Sequence, residues 1–100
     1  PPVAGFYAHA AIPARFALER GAWAEAARLE PASTPCPHCD AITHFARGLG
    51  AARSGDPATA RASVTALGEL RDKLTAAGES YWAGQVEIHL VDRGLVQLPP

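Results

Sequence analysis

Cys36-Pro37-His38-Cys39 is the stretch of this chain best suited to chemistry. Two cysteines three positions apart can close a disulfide, stay as two thiols, or offer two thiolates to a soft metal. The motif stands directly before a helix-forming segment, where unpaired backbone N–H groups and the helix dipole favour a thiolate. His44 extends the spacing to C-x2-C-x4-H, which suits part of a zinc knuckle, and His38 offers a further nitrogen. Four residues beyond His44 stands Gly48, which has no side chain to ligate. A fourth ligand would have to come from His9, His89, Asp40 or a second chain. The candidate metal ligands are thus Cys36, Cys39, His44 and His38, with zinc or another soft metal as the cofactor. A plain disulfide, or two thiols in a surface loop, is the simpler reading, and a reversible redox pair lies between the two.

The remaining residues point away from catalysis. His9, His44 and His89 fall on helical segments, where histidine usually packs at helix contacts or faces water. Trp23, Tyr81 and Trp82 stand at helical spacing and are expected to pack rather than stack on a ligand. Glu79 and Glu87 are out of register for a paired-carboxylate site. No G-x-S-x-G, phosphate loop or H-E-x-x-H occurs, so the chain is expected not to be an enzyme. The letters Cys36-Pro37-His38-Cys39 resemble the active-site motif of the thioredoxin superfamily. That fold needs strands around the motif. No run of period-2 alternation supplies them here, so only the local thiol chemistry carries over.

The elements that must hold these residues are helices. Residues 6–19 carry Phe6, Ile12, Phe16 and Leu18 among alanines; Pro13 lies inside and predicts either a bend or a helix start. Gly21 signals a C-cap, and 22–30 reads as a short second helix around Trp23, Ala26, Ala27 and Leu29. Pro31 to Pro37 holds three prolines and reads as a loop. Asp40 is a candidate N-cap for a helix whose stripe is Ile42, Phe45, Ala46, Leu49 and Ala52. Ser54-Gly55 ends it. Asp56-Pro57 restarts the chain with a capping carboxylate and a first-turn proline. Over 57–77, Ala60, Val64, Leu67, Leu70, Leu74 and Ala77 share one face. Gly78 ends that helix. A last helix from about Glu79 to Val91 is apolar on two faces and so expects neighbours on both, and Asp92-Arg93-Gly94 reads as a turn before a tail. The expected fold is all-α, about five helices in antiparallel hairpins, as one domain over 1–100.

A spacing ties these helices together. Gly21 and Gly55 lie 34 residues apart, as do Ala26 and Ala60, Ala14 and Gly48, and Ala17 and Ala51. A helix, glycine turn and helix at this period is the mark of a helical-hairpin solenoid. On these residues, 8–91 resembles the tetratricopeptide (TPR) repeat in its degenerate bacterial form. Ala14 and Gly48 match the close-contact position, Gly21 and Gly55 the turn, and Ala26 and Ala60 the second-helix alanine. The third copy departs, with His89 where the turn glycine would fall. The loop over 30–38 is long and proline-rich, and His44 replaces an early aromatic. The resemblance implies a right-handed superhelical fragment that holds a protein or peptide segment in the groove of its first helices. Trp82, Tyr81, Val86 and His44 are the expected partner-binding residues.

Composition bounds the rest. Apolar residues make up 48% and charged residues 19%, a globular balance, and the net charge is −1. Nucleic acid is not an expected partner, since such surfaces are strongly basic. No apolar run approaches the roughly 20 residues of a membrane span. With no signal-peptide pattern, the expected location is the cytoplasm. Eight of the nine basic residues are Arg and only Lys73 is Lys. The apolar last helix, and proline-rich ends like those of an excised piece, predict self-association into a homo-oligomer.

Overall fold

The computed structural model describes residues 3–91, and within them the chain is all-α. Five helices follow in order: α1 Val3–Glu19, α2 Trp23–Ala27, α3 Pro37–Ser54, α4 Pro57–Ala76 and α5 Ser80–Leu90. The expected turn at Asp92-Arg93-Gly94 lies outside the described residues.

Three glycines set the helix ends in the same way. Gly21, Gly55 and Gly78 all have positive φ, at 65°, 83° and 77°. The residue after each glycine donates its N–H back across the turn: Ala22 to Ala17 O, Asp56 to Ala51 O, and Glu79 to Leu74 O, at 2.8–2.9 Å. This closes otherwise orphaned helix-end carbonyls, and the backbone it requires strains any residue with a Cβ. Asp56 caps α4 as its sequence implies, accepting from Thr59 N at 3.2 Å with Pro57 beside it. The Thr59 side chain first, and then this backbone bond, hold the Asp56 carboxyl below its ordinary value.

Several expectations are corrected. Helix α1 does not start at Pro13 but continues through it from Val3 to Glu19, with the proline exposed. Its buried stripe is Ala11, Ala14 and Ala17, whereas Ile12 and Phe16 are 68% and 64% exposed. Helix α2 stops at Ala27 instead of reaching residue 30. The chain beyond it is held by Arg47 Nη1, which donates to Leu29 O at 2.6 Å. Asp40 is not an N-cap. Helix α3 starts at Pro37 with Cys36 in the cap position, which puts Asp40 in the first turn.

Helix α3 is the centre of the molecule and packs on all four others. Helices α1, α3 and α5 lie side by side, while α2 and α4 each pack between consecutive members of that row. Burial around α3 is accordingly broad, extending past the Ile42, Phe45, Ala46, Leu49 stripe to Ala41, Thr43, Gly48, Gly50 and Ala51. The main core joins Ala41, Leu67, Leu74, Ala83 and Val86, with Phe45, Val64, Leu70 and Leu90 packed on it. On the other side α2 presses on α3 at Gly50. A Cβ there would meet Trp23 O, Ala26 Cβ at 2.7 Å and Ala27 N at 2.8 Å. Small residues at this crossing let the two backbones approach.

Candidate functional site

Pro37 at the first helical position fixes where α3 begins and therefore where both cysteines stand. Cys36 is the cap residue and Cys39 lies in the first turn. The two form a disulfide, with Cα atoms 5.3 Å apart, inside the ordinary range. A sequence separation of 3 closes one of the shortest loops a disulfide can. By chain entropy it contributes about 2 kcal/mol, against about 3 kcal/mol for a fifteen-residue loop. The loop before the helix already has another anchor. Asp40, 6% exposed, accepts from Thr34 N at 2.8 Å and from Thr34 Oγ1 at 2.7 Å. Thr34 Oγ1 in turn accepts from Cys36 N at 3.1 Å.

His38 is the hinge of the site. Its ring lies flat on Trp82 of α5, with centroids 3.8 Å apart and planes 10° apart. Both its nitrogens lie near Cys36 Sγ, Nε2 at 3.4 Å and Nδ1 at 3.6 Å. Burial holds the imidazole below its ordinary value, against the pull of the Glu79 and Asp40 carboxylates. Burial thus favours the neutral ring, which suits stacking on an indole without the cost of burying a charge. Tyr81 meets the same indole edge-on at 4.9 Å.

Two concavities meet at this stack. One, of about 530 Å³, is walled by Cys36, Pro37, Lys73, Ala77 and Glu79 together with His38 and Trp82. The other, of about 290 Å³, lies between α1, α3 and α5 and is lined by Tyr7, Arg15, Ile42, Gln85 and His89 with the same His38 and Trp82. A third, of about 370 Å³, opens between α1 and the loop beside Asp40 and includes His9.

The structure gathers some of the expected residues and separates others. Cys36, His38 and Cys39 put one donor atom each within 4.8 Å of one another. With the disulfide closed the set offers no thiolate; with it open the set would offer three donor atoms, one short of a tetrahedral soft-metal site. His44 does not join them. It is half-buried along α3, held below its ordinary value by burial and then by Arg47. Of the expected partner-binding residues, Tyr81 and Trp82 reach the surface, while Val86, 1% exposed, belongs to the core and also lines the smaller concavity. His89 stacks on Phe45 with centroids 4.5 Å apart. Trp23 packs beneath the Arg53 guanidinium.

No local signal points to the His38–Trp82 stack, since its two residues lie far apart along the chain. Lys73, Glu79 and Tyr7 likewise become groove residues only through the packing of distant helices. The Thr34–Asp40 clasp had a faint local signal, a threonine shortly before an acidic first-turn residue. Comparison with family models, with curated proteins and with solved structures finds no match for this chain.

Proposed function

We propose that the chain is a non-enzymatic helical-hairpin interaction module, of the kind the tetratricopeptide resemblance implies, which seats a segment of another protein against α1, α3 and α5. One observation carries the reading. The two concavities share His38 and Trp82, whose rings join an apolar body to a polar tip, and the described chain leaves both concavities open. Trp82 is 36% exposed, and Tyr7 stands opposite it on α1. Exposed aromatic side chains that become buried on binding dominate the energetics of protein interfaces. Arg15, Gln85 and Lys73 add polar contacts at the margins.

Selection from a displayed peptide library tests this. The expected result is a family of peptides with micromolar affinity, weakened about tenfold or more by Trp82→Ala or Tyr7→Ala in a chain that keeps its helical spectrum. No enriched peptide, or binding indifferent to both substitutions, would sink the reading.

A second reading rests on a separate observation. Ile12 and Phe16 on α1, and Tyr81 and Ile88 on α5, expose large apolar surface away from the core. Such faces seek a partner, and a second copy supplies one. Sedimentation equilibrium should then show a dimer or larger species that Phe16→Glu or Ile88→Glu returns to monomer. A monomer at all concentrations would remove this second reading and leave the first standing.

A further inference from the structure

We propose that the concavity between α1, the loop after α2 and the start of α3 binds a small organic ammonium ion, held by Asp40 and Thr43. The site stands apart from the peptide groove: its lining shares no residue with the two concavities that meet at His38 and Trp82. Its volume of about 370 Å³ lies within the range of small-molecule pockets. Phe6 and His9 wall it from α1, Glu30 and Thr34 from the loop, and Asp40 and Thr43 from α3.

The charge of this lining is one-sided. Asp40 and Glu30 bring carboxyl groups, and among the described residues no Lys or Arg lines the concavity. Asp40 is 6% exposed and forms no ion pair among the described residues. Each of its oxygens accepts one bond from Thr34, whereas an ionised carboxyl has about four lone-pair sites. The first turn of α3 offsets part of a negative charge there. A buried carboxylate with no cation beside it is nevertheless costly. Thr43 points to a ligand independently. It is 8% exposed, and its hydroxyl makes no hydrogen bond among the described residues. Side-chain polar groups buried this far are normally bonded. No fully enclosed side-chain oxygen lacks a partner among the described residues. The Thr43 oxygen is therefore not enclosed, and it opens on the cavity that its residue lines. Asp40 and Thr43 are three positions apart on α3 and so share one face of it.

The geometry favours an organic cation over a metal ion. Among the described residues, three metal-type ligand atoms come together only at Cys36, His38 and Cys39, so Glu30, Asp40 and His9 do not converge on one point. An ammonium group needs no such convergence. It donates one N–H to Asp40 and another to the Thr43 hydroxyl. Its apolar body lies against Phe6, whose aromatic ring also attracts a cation.

The test uses the whole chain with 2-phenylethylammonium as probe and 2-phenylethanol as its neutral counterpart, followed by titration calorimetry and amide chemical shifts. The amine should bind at one site with a Kd of about 1 mM or tighter, and the alcohol about tenfold more weakly. Shifts should centre on Phe6, Thr34 and Thr43. Thr43→Val keeps the side-chain shape, removes the hydroxyl, and should weaken the amine about threefold or more. Asp40→Asn keeps an acceptor for Thr34, removes the charge, and should weaken it about tenfold. If Asp40→Asn fails to fold, Thr43→Val and the alcohol still decide the matter. The proposal is overturned if the amine does not bind, if it binds no better than the alcohol, if Thr43→Val leaves its affinity unchanged, or if the shifts centre on Trp82 instead.

Discussion

The two ends of α3 do different work. At the C-terminal end, Gly50 and Ala51 have almost no side chain, and α2 lies close against them. At the N-terminal end, Cys36, His38, Cys39 and Asp40 are dense in polar and reactive atoms. One end is held by the closeness of two backbones and the other by directed bonds. The comparison teaches that one buried helix can be specified by small residues where it packs and by chemically distinct ones where it meets a loop. At the packed end almost any added atom is a clash. At the polar end the danger is the reverse, a buried donor left without its acceptor.

Gly50→Ala should have the largest effect. Its Cβ would strike Trp23 O and the backbone nitrogen of Ala27, neither of which can swing aside. A loss of about 3 kcal/mol is expected, read from urea unfolding. A near-neutral result would mean that α2 is not pressed on α3 and that the packed end is not held by close approach.

Asp40→Ala attacks the polar end. It removes the acceptor for both Thr34 N and Thr34 Oγ1 in a part-buried site. The expected loss is about 2 kcal/mol, with faster hydrogen exchange at the Thr34 amide. If stability is unchanged, the disulfide alone fastens the loop, and the polar end is not held by directed hydrogen bonds.

Gly84→Ala is the control and the smallest change. It makes the same chemical substitution as Gly50→Ala, but in α5, where a Cβ would meet nothing within 4 Å. A gain of about 0.5–1 kcal/mol is expected from helix propensity. Opposite signs for the two glycines would separate a packing role from a merely permissive one. Equal losses would show that glycine is needed for some reason other than the space it leaves.

The sequence by itself determined most of the helix ends. Gly21, Gly55 and Gly78 each close a turn, and Asp56-Pro57 restarts the chain, because a cap is made by a few consecutive residues and needs nothing distant. The 34-residue spacing also placed small residues that are buried, Ala14, Ala26, Gly48 and Ala60 among them. The CxxC pair was legible as two thiols able to bond.

Only the tertiary structure decided which faces those helices turn inward. An apolar count favours Ile12 and Phe16 as the core of α1, yet the alanines are buried, because α3 approaches too closely for larger side chains. It also placed Cys36 on a groove wall, set His38 flat on Trp82, and left His44 away from the cysteines. Such juxtapositions depend on how helices cross, which is fixed by many small contacts summed over the whole core. A cap is a local bond that a short stretch of sequence can specify, whereas a helix crossing belongs to the folded chain as a whole.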